Sequence, residues 1–164
     1  MTDAVIIRPI RGEDHERVWS ILEPVIRAGE TYALDREMTR EAALAYWVAP
    51  EKETFVLEQN DIVLGTYYLR ANQTGGGRHV CNAGFMTHAE AVGRGVARTM
   101  CEHALQHAKA YGFQAMQFNF VISTNERAIG LWNRQGFDVV GRLPKAFHHP
   151  VHGLVDALVM YRFL

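Results

Sequence analysis

The sequence predicts a mixed α/β fold, α+β in the arrangement of its parts: a mostly antiparallel seven-stranded sheet with helices on both faces. Three observations predict it. Seven short runs rich in β-branched and aromatic residues alternate with helical apolar patterns in the order βααβββαβαββ. Turn signals tie the early strands into an antiparallel half. A strand–helix–strand unit after the fourth strand requires a crossover, which makes two of the strands parallel.

Residues 4–10 (AVIIRPI) read as the first strand. In the next segment Val18, Ile21, Leu22, Val25 and Ile26 recur at helical spacing behind an acidic first turn, and Gly29 ends the helix. Thr39 is placed to cap a second helix (TREAALAYWV), and Pro50 stops it. ETFVLEQ and IVLGTYYLR are strands joined by Asn60-Asp61, a hairpin signal. Gly75-Gly76-Gly77 interrupts the pattern before a fourth strand, HVCNAGFMT. A long helix from Gly95 to Tyr111 stops at Gly112, and QAMQFNFVI is the fifth strand. Asn125–Gln135 forms the last helix, closed by Gly136, and FDVVGRL and DALVMYRFL are the sixth and seventh strands.

A chain of 164 residues with 48% hydrophobic and 21% charged residues has the composition of one soluble globular domain, expected to span 1–164. Seventeen basic against eighteen acidic residues give a net charge of -1, which argues against nucleic acid or an anionic membrane as the main partner. Only Lys52, Lys109 and Lys145 are lysines, so the positive half is mostly arginine. Two cysteines, Cys81 and Cys101, form no disulfide framework, and no apolar run suits a signal peptide or a membrane span. A cytoplasmic protein is expected.

Chemistry concentrates where the fourth strand hands over to its helix, in FMTHAEAVGRGVARTM. Gly93 and Gly95 allow a tight turn and close approach of an anion to backbone N–H groups. The helix N-terminus adds unpaired donors and a positive dipole end, and Arg94 and Arg98 add charge. A phosphate gains on the order of 0.3–1 kcal/mol from such a dipole.

From Asn125 the chain reads NERAIGLWNRQGF, the spacing N-x-x-A-x-x-x-aromatic-x-x-x-G-F. With the loop Val92-Gly93-Arg94-Gly95-Val96-Ala97, this resembles the GNAT superfamily of acetyl-CoA-dependent N-acetyltransferases. The similarity extends to the helix after the loop and to the terminal strand, and the element order agrees with the GNAT fold. The resemblance implies acetyl-CoA as co-substrate and no metal. It implies that Phe85, Met86 and Thr87 bind the pantetheine arm through their backbone, with the Met86 N–H as oxyanion donor. The N–H groups of Gly93, Arg94, Gly95, Val96, Ala97 and Arg98 would hold the pyrophosphate, and Asn125 and Trp132 would lie near the thiol end.

Three departures from the family pattern matter. Val92 stands where Gln or Arg is usual, which removes a side chain but no backbone donor. Trp132 stands where many relatives carry a Tyr able to protonate the leaving sulfur, and an indole N–H donates a hydrogen bond at most. The fourth strand has no carboxylate to serve as base. Asn82 and Asn119 are the polar residues nearest that place, suited to orient a substrate carboxylate or a water, or to serve as structural bond-makers. Glu30 is a candidate base on the loop between the first two helices, with His88 as another. Thr31, Tyr32 and His148 are expected to wall the acceptor pocket.

The remaining histidines carry less. His148, His149 and His152 lack the spacing of a zinc site, and His103 and His107 read as half-buried helix residues. Cys101 falls in the apolar stripe of its helix. The expected function is acetyl transfer from acetyl-CoA to the amine of a small molecule, an amino acid or analogue, by direct attack. Transfer to a protein N-terminus or lysine, and a non-catalytic acyl-CoA-binding module, are the alternatives. No nucleic acid or membrane partner is expected, and a homodimer is left open.

Overall fold

The computed structural model describes residues 3–164; Met1 and Thr2, the first residues of the segment read for a signal peptide, lie outside it. Seven strands form one sheet in the order β1-β2-β3-β4-β5-β7-β6. They are β1 Val5–Pro9, β2 Glu53–Gln59, β3 Ile62–Ala71, β4 Val80–Thr87, β5 Ala115–Ile122, β6 Asp138–His149 and β7 Gly153–Phe163. Only β4 and β5 run parallel; every other pairing is antiparallel. The helices are α1 His15–Ala28, α2 Arg40–Trp47, α3 Val96–Tyr111 and α4 Glu126–Arg134.

Each boundary has a local cause. Asn60 and Asp61 take positive φ (52° and 61°), as a two-residue hairpin turn with matched twist requires. Gly29 (φ 64°) ends α1 and Gly112 (φ 109°) ends α3 in the left-handed conformation that costs glycine nothing. Thr39 caps α2 by accepting the Ala42 N–H at 3.1 Å. Pro24 sits inside α1 without ending it.

Two apolar cores lie on opposite faces of the sheet. Val18, Ile21, Leu22, Ile26, Leu44 and Trp47 of α1 and α2 pack on Val56, Tyr68 and Met86. On the other face Met100, Cys101, Ala104 and Ala108 of α3 and Trp132 of α4 pack on Tyr67, Ala83, Met116 and Phe118. Met100 reaches the sheet because β3 has a glycine there: a β-carbon on Gly65 would lie 2.8 Å from the Met100 methyl carbon. No helix among the described residues is long and apolar enough to cross a membrane.

The glycine run at 75–77 forms a single 3-10 turn between β3 and β4. One expectation needs correction. The last two strands are longer than their apolar runs. β6 continues past Pro144 to His149 through register shifts at Val139/Gly141 and Leu143/Phe147, with Lys145 at φ 49°. Those irregularities hide the strand from a period-2 pattern. His148 and His149 are therefore strand residues, and only Pro150–His152 turn the hairpin.

Candidate functional site

The site begins where two parallel strands part. β4 and β5 pair only at Val80–Ala115 and Cys81–Met116. The Asn82 Nδ2 then donates to the Gln117 carbonyl at 2.9 Å, a side-chain stitch just past the last paired residues. β5 also loses its register with β7 between Phe118 and Val121. Aromatic rings fill the wedge: Phe85 of β4 lies 5.2 Å from Trp132, and Trp132 lies 4.9 Å from Phe118. Trp132 is thus a core aromatic and a wall of the wedge at once.

The β3–β4 ladder decides which backbone groups face the opening. At its ends the His88 N–H donates to the Leu64 carbonyl and the Asn72 N–H to the Val80 carbonyl, both at 2.8 Å. Antiparallel alternation then turns the backbone of Asn82, Gly84 and Met86 toward β3, and that of Ala83, Phe85 and Thr87 away from it. This corrects one expectation: the Met86 N–H is committed to the ladder with Thr66, and the N–H that faces the wedge is that of Phe85. Both backbone groups of Phe85 meet one hydroxyl. The Tyr32 Oη accepts from the Phe85 N–H and donates to the Phe85 carbonyl, each at 2.9 Å. Thr87 has no strand opposite its outward backbone.

Beyond β4, Gly93 (φ 86°) and Gly95 (φ 79°) turn the chain into α3. No atom lies within 4 Å of where a Gly95 β-carbon would sit, so the surface there is open. Gly95 supplies no side-chain cap, and the N–H groups of Val96, Ala97 and Arg98 have no carbonyl or side-chain acceptor among the described residues. These are three convergent donors at a positive dipole end. The Arg94 N–H is not one of them, since it donates to the Ala91 carbonyl at 3.2 Å.

The arginine side chains are placed differently from the expectation. Arg98 is engaged with Glu102 at 2.8 Å along its own helix, and Arg94 donates to the Gln59 side chain at 3.1 Å. A third arginine approaches the loop from another element. The Arg127 Nη2, on α4, lies 3.2 Å from where a Gly93 β-carbon would be, and Arg127 forms no ion pair among the described residues. Sequence reasoning missed Arg127 because it looked for charge on the loop itself; the signal was its place in the first turn of α4. Val92 is 50% exposed, a small apolar side chain on an otherwise polar rim. Asn125 caps α4 by accepting the Ala128 N–H at 3.3 Å, so its carbonyl oxygen is already used.

The candidate catalytic side chains do not converge. Asn119 is exposed and belongs to a chain of carboxamides, accepting from Gln117 Nε2 at 2.9 Å and donating to Asn72 Oδ1 at 2.7 Å. Asn82 bonds the Gln117 backbone instead, so the two asparagines are not partners. Glu30 is exposed and makes no hydrogen bond or ion pair among the described residues. Thr31 is half-buried on the same loop, and His148 is exposed on β6. His88 uses its Nδ1 to accept the Glu90 N–H at 3.2 Å. Cys81 and Cys101 are fully buried and burial pushes both thiols up to about 12, which leaves neither as a nucleophile.

On the α1/α2 side the wedge borders an aromatic wall. The Tyr32 and Trp47 rings meet edge-on at 6.1 Å, as do Trp47 and Tyr68 at 4.9 Å and Tyr46 and Tyr68 at 6.2 Å. Trp47 is fixed by its Nε1 donating to Thr66 Oγ1 at 2.9 Å. Next to this wall Arg70 of β3 pairs across the ladder with Asn82 and has no acidic partner among the described residues. Lys52 packs its ammonium over the Tyr46 ring at 3.4 Å. Two cations that form no ion pair among the described residues, beside an aromatic wall, suit an anionic group. Among the described residues no cluster of His, Cys, Asp or Glu could hold a metal ion.

The acetyltransferase (GNAT) family profile matches residues 16–137, which include the wedge, the loop and α4. A relative from Schizosaccharomyces pombe, N-acetyltransferase aca1, is 30% identical over 156 residues, 84% of this chain and 75% of that protein. The structure is similar to that of a GCN5-related N-acetyltransferase from Kribbella flavida, at 40% identity and a TM-score of 0.94 over the whole of both chains. It also superposes on a phosphinothricin acetyltransferase from Sinorhizobium meliloti in complex with AcCoA. That match has a TM-score of 0.84 at 19% identity, covering 98% of this chain and 88% of the other. With the strand parting, the uncapped helix and the family match all in one register, the chain belongs to the GNAT acetyltransferase family.

Proposed function

We propose that the protein transfers the acetyl group of acetyl-CoA to the amine of a small molecule, an amino acid or an analogue of one, by direct attack through a tetrahedral intermediate. The observation that carries this reading is the parting of β4 from β5 beside the uncapped N-terminus of α3. The residues fit the co-substrate. The outward edge of β4 from Ala83 to Thr87 suits the amides of a pantetheine arm, added as an extended strand would be. The Val96, Ala97 and Arg98 N–H groups suit a pyrophosphate, with Arg127 alongside.

The Phe85 N–H is the donor placed for the thioester oxygen, where charge develops during attack. Holding amine and thioester together supplies effective molarity, about 7–11 kcal/mol of barrier at best. Among the described residues no carboxylate hydrogen-bonds the Phe85 N–H, so the amine sheds its proton to water in this reading. The aromatic wall of Tyr32, Tyr46, Trp47 and Tyr68, with Arg70 and Asn82 beside it, supports a small acceptor that carries its own anion. The match to a phosphinothricin acetyltransferase is in keeping with that class.

The test is CoA release from acetyl-CoA with a panel of amines, with the N-acetyl product identified by mass. Release with amino acids or their analogues, and little with amines lacking an anionic group, is expected. Bound acetyl-CoA with no release on any amine would leave a binding module instead.

A further inference from the structure

Trp132 leaves this site without a phenol on α4, and one is supplied from the opposite side. The Tyr32 hydroxyl lies 2.9 Å from both the nitrogen and the oxygen of Phe85, filling the place beside β4 that β5 has vacated. A hydroxyl there accepts from the Phe85 N–H, which is aimed into the wedge, and spends its own proton on the Phe85 carbonyl. Its ring is held by contact with Trp47, and Trp47 by Thr66. The loop before it is anchored by Gly29, over which the Arg36 stem packs while Arg36 Nε donates to the Arg27 carbonyl at 2.8 Å. Burial raises the phenol well above its ordinary pKa, so Tyr32 is a donor and not a base at neutral pH.

We propose that Tyr32 is the second hydrogen-bond donor to the reacting carbonyl, closing with the Phe85 N–H around the oxygen of the bound acetyl group. This deepens the acetyl-transfer reading and rests on it. The thioester oxygen takes the Phe85 N–H by displacing the Tyr32 hydroxyl sideways, and the displaced hydroxyl turns its proton from the Phe85 carbonyl to that oxygen. The amine lone pair forms the C–N bond while the C=O π pair moves onto the oxygen, now held by both donors. The pair then returns, the C–S bond breaks and the thiolate leaves with the bonding electrons. The amine proton goes to water, and Tyr32 keeps its own proton throughout. A resting hydrogen bond is exchanged for one that strengthens as charge develops, which is the requirement for lowering the barrier.

The test is the carbonyl stretch of acetyl-CoA labelled with carbon-13 at the carbonyl, read by infrared difference spectroscopy on the whole chain without acceptor. The wild type is expected to lower the band relative to free acetyl-CoA, and Tyr32→Phe to return part of that shift. A ring-fluorinated tyrosine at position 32, with the same shape and a stronger donor, should lower the band further. With an acceptor identified, Tyr32→Phe should lower kcat on the order of a hundredfold while changing the KM for acetyl-CoA less than about threefold. An identical band in wild type and Tyr32→Phe, with Tm lowered or both KM values raised, would make Tyr32 a loop anchor and overturn the proposal. A wild type that fails to bind acetyl-CoA would overturn the acetyl-transfer reading beneath it.

Discussion

The Tyr68 ring lies flat across Gly84 on the neighbouring strand. A β-carbon on Gly84 would come within 2.6 Å of Tyr68 Cε1 and 2.9 Å of its hydroxyl oxygen. The two residues face each other in the β3–β4 ladder, directly before Phe85, so the glycine lets the aromatic wall approach the strand that carries the oxyanion donor. Gly84→Ala should therefore overpack the wall, destabilising the fold by about 1–3 kcal/mol. Thermal unfolding of the single and double variants checks it: in a Tyr68→Leu background the same alanine should cost much less.

Arg127 is expected to do what the sequence assigned to Arg98. Its guanidinium stands against Gly93 with no ion pair among the described residues, while Arg98 is held by Glu102. Arg127→Ala should raise the KM for acetyl-CoA about tenfold, the loss of one charge-assisted hydrogen bond, with kcat little changed. Arg98→Ala should have the smaller effect, because an exposed arginine that leaves Glu102 gives up one favourable pair to form another. Steady-state kinetics at two ionic strengths would separate a pyrophosphate contact from general attraction. Equal effects of the two alanines would place the phosphates away from Gly93.

Much of this was legible from the chain, and the misses share a cause. Gly29, Thr39, the Asn60-Asp61 turn and Gly112 are read correctly because each acts locally, through its own backbone or a side chain bonded within one turn. The length of β6 is not, because Pro144 and the positive φ of Lys145 fall in an irregularity between Leu143 and Phe147, and only the pairing with β7 on either side carries the strand past it. The direction of the Met86 N–H is likewise a property of the β3–β4 register. A residue's place in a strand states its type but not which neighbour its backbone addresses. Arg127 and Tyr32 reach the site from elements far away in sequence, and only the folded sheet brings them to Gly93 and Phe85.

Arg70 provides a test of the acceptor. It sits opposite Asn82 beside the Tyr46–Tyr68 pair and forms no ion pair among the described residues. If the acceptor is an amino acid or analogue, Arg70→Gln should raise the acceptor KM by about tenfold or more and leave the KM for acetyl-CoA unchanged. The same substitution should matter little for an acceptor amide or ester lacking the anion. Equal loss for both acceptors would show that Arg70 supports the sheet and not the anion.

Lys52 gives the fold a pH dependence with a definite sign. Lys52 is 9% exposed, and its ammonium donates to the Tyr46 carbonyl at 2.6 Å and lies 3.4 Å over the Tyr46 ring and 4.2 Å from that of Tyr68. The rings favour the charged form, but burial outweighs them and the nearby Arg70 repels it, against a weaker attraction to Glu51. The amine is pushed down to about 8 from 10.5. Below pH 8 both folded and unfolded chains hold the proton, and the folded state bears the full cost of burying the charge. Between about 8 and 10.5 the unfolded chain holds a proton that the folded one has released, so stability rises with pH through that window. Lys52→Met keeps an apolar stem and removes the charge. Subtracting its unfolding free energy from that of the wild type, measured from pH 7 to 10.5, cancels the other titrating groups. The difference should move in favour of the wild type only above pH 8, whereas a flat difference would show that the buried ammonium keeps its proton and that the aromatic box fully offsets its desolvation.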